Sequence, residues 1–154
     1  VLDFPPGPTF AWLATGSEPW PEETSSTISR EFAEGRHPLF RYRCGSVKIG
    51  ETITAELQPG GAALKRTLAI GTRKISDNGV LYVRLATGRA IELLERMGDQ
   101  RTFRVVGERE ALVRVTSSEA SIVNGPLVQE LRVPIDMAPN FHGDFGGLEV
   151  HYSW

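Results

Sequence analysis

The chain has a single cysteine, Cys44, among 154 residues. One cysteine cannot close an internal disulfide, and a zinc site would have to rely mainly on histidine and carboxylate ligands. No apolar run approaches the roughly 20 residues that span a bilayer, and no charged-then-apolar leader opens the sequence. We therefore expect a soluble chain without a membrane partner, a bound metal or a cofactor.

An excess of one charge is also missing. The 17 basic and 19 acidic residues are scattered without long runs and give a net charge of -2. Nucleic-acid surfaces usually show a basic patch, so nucleic acid is not expected as a partner. The same slightly acidic charge balance disfavours a β-barrel that binds single-stranded nucleic acid through surface aromatic residues.

The length and the 40% hydrophobic content suit one domain with one core. Residues 1–24 hold five of the ten prolines together with Trp12 and Trp20, which predicts an extended lead-in before a single β-rich domain at residues 25–154. Packing of these aromatics on their own domain is favoured over a partner surface, because large exposed apolar patches are unusual. Since the sequence begins at Val1, we expect a trimmed, processed or excised piece.

The clearest pattern is the alternation of apolar and polar residues over residues 46–57, which predicts a long strand with one dry and one wet face. Glu51 alone breaks the apolar phase. It is either a buried carboxylate or the point where this face becomes exposed, and the second interpretation is favoured.

Similar alternation recurs along the chain between turn signals. It predicts a hairpin of residues 64–70 and 80–85 across Asp77–Gly79, a hairpin of 101–106 and 111–116 with an odd-length loop or a bulge at Gly107, and a last strand at 148–154. Spacing predicts short helices at 24–35 and, by a small margin over a strand, at 87–98. The expected fold is mainly β: an antiparallel β-sandwich or barrel of about seven to nine short strands, with one or two short helices.

The densest chemical group is the glycine-rich stretch that carries His142 and Asp144. Such a pair could act as a general base and its orienting carboxylate in a catalytic site. Against this, His-x-Asp is common by chance, and no serine lies in a Gly-x-Ser-x-Gly elbow. Solvated side chains on a shaped loop are the favoured interpretation.

Four residues are candidates for binding: Trp12 and Trp20 in the lead-in, and Arg41 and Arg43, which share one face of a predicted strand. The arginine pair could grip a carboxylate or an acidic glycan, although ordinary edge charges are favoured. Cys44 falls on the opposite face with aromatic residues and is expected to be a small buried hydrophobe.

The leading hypothesis is a non-enzymatic β-rich binding or assembly module, such as a displayed domain of a capsid, phage tail or surface protein. Its partner would be a protein, a neighbouring domain or a surface glycan, with self-association into a homo-oligomer as one option. The alternative is a small β-barrel hydrolase, lyase or cyclase that uses His142 and Asp144, for which His142→Ala would abolish turnover.

Overall fold

The computed structural model describes residues 9–22, 27–32, 38–45, 47–59, 61–71, 79–135 and 147–154. These residues form twelve β-strands and no helix. The strands are β1 (Phe10–Leu13), β2 (Thr27–Phe32), β3 (Pro38–Cys44), β4 (Val47–Gln58), β5 (Gly61–Gly71), β6 (Val80–Gly88), β7 (Ala90–Met97), β8 (Gln100–Val106), β9 (Glu110–Thr116), β10 (Ser121–Asn124), β11 (Gln129–Pro134) and β12 (Gly147–Ser153).

The strands form two antiparallel sheets in a sandwich-like arrangement. The smaller sheet has the order β1-β6-β11-β10, and the larger has the order β2-β3-β4-β5-β12-β9-β8-β7. The predicted antiparallel, mainly β fold is therefore confirmed, with more strands in the described residues than the seven to nine expected and without the expected helices.

Two sequence patterns place their strands correctly. The alternating stretch becomes β4, which pairs along its length with β5 from Gln58 opposite Gly61 to Lys48 opposite Gly71. The hairpin of β8 and β9 has Val106 opposite Glu110, so its loop holds three residues. This is the odd-length loop that the common phase of the two strands requires.

Three local predictions are wrong. Residues 27–32 of the first expected helix form β2, which pairs with β3, and residues 90–97 of the second form β7, which pairs with β8. The helical spacing at 87–98 is incidental, because Ile91 is buried while Leu94 and Met97 are 50% and 61% exposed on an edge strand. The hairpin expected across residues 77–79 does not form, since β5 and β6 belong to different sheets.

The core lies between the two sheets and draws on the inward positions of both. Val47, Leu68 and Val113 from the larger sheet and Leu81 and Val133 from the smaller one are each at most 1% exposed. Burial of this apolar surface is the main force that holds the layers together.

Part of the proline-rich lead-in belongs to the fold. Strand β1 pairs with β6, and the Arg132 side chain then holds the following segment by donating from Nη1 to the carbonyls of Gly16 at 2.8 Å and Glu18 at 2.6 Å. The Trp20 ring lies 5.0 Å from the guanidinium carbons of both Arg84 and Arg132, which suits cation–π contact. A domain boundary at residue 24 stays a prediction.

Candidate functional site

The glycine-rich stretch that carries His142 and Asp144 lies outside the described residues. Residues 136–146 contain His142 and Asp144, so the catalytic role proposed for them from the sequence stays a prediction. Elsewhere in the described part of the chain, no group of three or more His, Cys, Asp or Glu side chains is placed to hold a metal ion. The described residues also contain no helix that is long and apolar enough to cross a membrane.

The four binding candidates lie on separate parts of the fold. Trp12 is half-buried on β1 and packs against the core, whereas Trp20 contacts β6 and β11 through two arginines. Arg41 and Arg43 are exposed on β3 of the larger sheet. The two arginines therefore share a strand, as the sequence predicts, but the structure does not group them with Trp20.

The interior contains a polar network that the sequence did not lead us to expect. Glu51 is 2% exposed and Arg66 is 4% exposed, and Arg66 Nε donates to Glu51 Oε1. Tyr42 Oη donates to the other Glu51 oxygen at 2.5 Å. The favoured interpretation of Glu51 as the start of an exposed face is thus wrong, because a buried cation neutralises the carboxylate in place.

The network continues to the opposite sheet. Arg66 Nη1 donates to Tyr152 Oη at 3.5 Å, and Tyr152 Oη donates to the Leu85 carbonyl on β6 at 3.1 Å. Burial raises the pKa of Tyr152, with the Arg66 charge acting in the opposite direction. Burial also raises the pKa of Tyr42, and its hydrogen bond to Glu51 raises it further. Both phenols therefore stay protonated and serve as hydrogen-bond donors at neutral pH.

A cavity of about 340 Å³, here called the inner cavity, lies where this network meets the end of the sandwich. Its walls come from β6 on one side and from β8, β9 and β12 on the other, and the turn between β8 and β9 forms its mouth. The lining residues are Leu85, Ala86, Thr87, Val105, Gly107, Glu108, Arg109, Glu110, Ala111, Val113, Tyr152 and Trp154.

A second cavity of about 410 Å³, here called the outer cavity, adjoins it. It is lined by Pro59, Gly61, Ala62, Glu110, Ala111, Leu112, Ser153 and Trp154. Glu110, Ala111 and Trp154 line both cavities, and Trp154 is 51% exposed. The region around the two cavities, called the Trp154 end below, therefore presents an aromatic ring between two recesses.

Charged groups at this end lie at the surface. Glu110 accepts a hydrogen bond from Arg104 at 2.8 Å, which lowers the pKa of the Glu110 carboxyl. Glu108 and Arg109 are exposed in the turn at the mouth of the inner cavity. Polar groups therefore surround the opening, while the deeper walls are mostly aliphatic and aromatic.

Another charged group lies on a different face of the larger sheet. His151 Nε2 is 2.7 Å from Glu149 Oε1 and its Nδ1 is 3.3 Å from Glu56 Oε2, while Lys65 Nζ is 2.8 Å from the second Glu149 oxygen. The hydrogen bond from Lys65, and then the one with His151, lowers the pKa of Glu149. The Lys65–Glu149 pair joins the neighbouring strands β5 and β12 and is of the kind that supports a sheet, whereas Glu149 and His151 lie on the same strand.

The sequence carried one overlooked signal for the polar network. Arg66 falls on the same apolar phase as Leu64 and Leu68, so β4 and β5 each place one charged residue among inward positions, and the two charges are opposite. The two cavities had no comparable signal, because their walls combine strands that are distant in sequence.

Comparisons with known proteins add no relative. No family model matches the chain, and neither the search of curated proteins nor the search of solved structures finds a match.

Proposed function

We propose that this chain is a non-enzymatic β-rich binding module that engages its partner at the Trp154 end. The observation that carries the proposal is the half-exposed Trp154 side chain, which lines two adjoining cavities. Tryptophan is enriched at binding interfaces, because it offers a large apolar surface together with an N–H donor.

Apolar neighbours support this assignment. Leu57, opposite Ala62 in the β4–β5 hairpin, is 97% exposed, and Leu112 is 39% exposed beside the outer cavity. An indole ring near exposed aliphatic side chains is typical of a surface that another molecule covers. A protein partner, a neighbouring domain, a glycan or a second copy of the chain could use it, as in a displayed domain of a capsid, phage tail or surface protein.

The test is a nitrogen-15 NMR screen of the full chain against a library of small aromatic, aliphatic and sugar fragments. We expect the amide shifts caused by binding to cluster at residues 110–113 and 152–154. Trp154→Ala should weaken the hits at least tenfold. Leu127→Ala, which removes a side chain that is 91% exposed in the β10–β11 connection, is the matched control and should leave binding unchanged.

A screen without hits, hits that map elsewhere, or equal binding by Trp154→Ala would contradict the proposal. The alternative, an enzyme that uses His142 and Asp144, stays a prediction. Its test is to measure turnover of the His142→Ala variant, which should be abolished while the fold stays intact.

A further inference from the structure

Small residues occupy part of the wall of the inner cavity. Ala86 on β6 and Ala111 on β9 line it, whereas nearby wall positions carry the larger Leu85, Val105 and Val113. Protein interiors are normally packed as densely as organic crystals, with few voids larger than a water molecule. The recess of about 340 Å³ opens to the surface at the turn between β8 and β9, and its volume is that of a pocket that can hold a small molecule.

The chemistry of the wall restricts what can occupy the recess. Tyr152 Oη already donates to the Leu85 carbonyl. No lining residue has a buried side-chain polar atom without a partner, as far as the described residues show. A charge placed deep in the cavity would lose its hydration without gaining a counter-charge, which costs several kcal/mol. The deep part therefore suits an uncharged apolar group.

The volume restricts the size of that group. An apolar cavity of about 150 Å³ holds one benzene ring. The inner cavity, at about 340 Å³, has a little over twice that space. It therefore has room for two fused rings, and Trp154 at its edge offers an aromatic surface against which a flat ring can pack.

We propose that the inner cavity binds a neutral, flat two-ring aromatic molecule with its polar end toward the turn at residues 107–109. This inference rests on the proposed binding function, and names the ligand class for one of its two cavities. It places the apolar rings against Val105 and Val113 and leaves the polar end beside Glu108 and Arg109.

The probe is 2-naphthol, added to the full chain with methyl-labelled side chains. We expect one-to-one binding with nuclear Overhauser contacts from the ring protons to the Val105 and Val113 methyl groups. Phenol should bind about tenfold more weakly, because it buries less apolar surface.

Two variants separate the inner cavity from non-specific apolar binding. Ala111→Leu should fill the recess and weaken 2-naphthol binding at least tenfold, whereas Ala90→Leu adds the same group at an exposed position of β7 and should have no effect. The Overhauser contacts need no variant, so the test stands even if Ala111→Leu fails to fold.

The outcomes distinguish this inference from the broader proposal. Contacts to Pro59 and Leu112 instead would place the probe in the outer cavity, which would overturn the ligand assignment but preserve binding at the Trp154 end. Equal binding by Ala111→Leu, or absence of binding up to the solubility limit of 2-naphthol while other fragments bind at residues 110–113, would overturn the inference in the same way.

Discussion

The buried pair of Glu51 and Arg66 offers the sharpest test of how a polar network is stabilised on the inner face of the larger sheet. Both side chains are at most 4% exposed, and their hydrogen bonds connect Tyr42 on β3 with Tyr152 on β12. Arg66→Met keeps most of the side-chain volume but leaves the Glu51 carboxylate buried without a cation. Removing one member of such a pair costs about 3–5 kcal/mol.

The reverse single change should have a similar cost. Glu51→Gln retains an oxygen that can accept the Tyr42 hydrogen bond but leaves the Arg66 guanidinium uncompensated. The double variant Glu51→Leu with Arg66→Met removes both charges. Replacement of a whole buried pair by apolar groups is often neutral or even stabilising by about 1–4 kcal/mol. Here the loss of an acceptor for Tyr42 offsets that gain by about 1–3 kcal/mol.

Urea unfolding at pH 7, followed by tryptophan fluorescence, measures all three variants against the parent chain. We expect each single variant to lose a large share of the total stability, which for one domain is roughly 5–15 kcal/mol. We expect the double variant to recover most of that loss. Arg104→Met, which breaks the exposed pair with Glu110, is the control and should leave the unfolding midpoint unchanged.

Additive single effects would refute this reasoning. If the double variant lost as much as the two single variants combined, the two charges would not be coupled. Losses below about 1 kcal/mol in both single variants would mean that water or relaxation already screens the pair.

Two further predictions concern single positions. Burial raises the pKa of the Cys44 thiol from its ordinary 9.0 to about 11, so at pH 8 a disulfide reagent should modify the folded chain about a hundredfold more slowly than the urea-unfolded chain. The raised pKa also contributes to the free energy of unfolding; this contribution is fully present below pH 9 and is lost as the pH rises toward 11. Equal reaction rates of the folded and unfolded chains would contradict the raised pKa. Gly79→Ala should cost more than about 2 kcal/mol, because φ is 108° and the added carbon would lie 2.4 Å from the Leu13 carbonyl oxygen. Gly98→Ala, with φ 59° and no heavy atom within 4 Å, should cost about 1 kcal/mol, and equal urea midpoints for the two variants would contradict the comparison.

The sequence predicted the fold correctly where apolar and polar residues alternate along a strand, because this alternation reflects one buried and one exposed face of the sheet. Strand β4, with its alternating residues, and the β8–β9 hairpin, with its odd-length loop, are examples. It failed at β7, where Leu94 and Met97 have helical spacing but lie exposed on an edge strand. Pairing with β8 decides that segment, and pairing is a long-range property that local spacing does not contain.

The candidate site was less accessible to sequence reasoning than the fold. The ion pair could have been found, because the opposite charges of Glu51 and Arg66 each fall in the apolar phase of their strands, and the register with Gln58 opposite Gly61 brings them close. The inner cavity could not, because it depends on the distance between β6 and β9, which belong to different sheets. The recess lies beside small side chains. An alanine at an apolar position of an alternating strand does not indicate, from the sequence alone, that the space beside it is empty.

The central position of β12 affects how the chain can fold as it is synthesised. This strand lies between β5 and β9, so without it the larger sheet consists of two separate halves, each with one long unpaired edge. Between the end of β5 at Gly71 and the start of β12 at Gly147 lie 75 residues, and ribosomes add about 5–20 residues per second. The β5 edge is therefore open for several seconds on each nascent chain. During that time the β5 edge could pair with the same edge of a neighbouring nascent chain. Misassembly of this protein is therefore expected chiefly when several chains are synthesised close together.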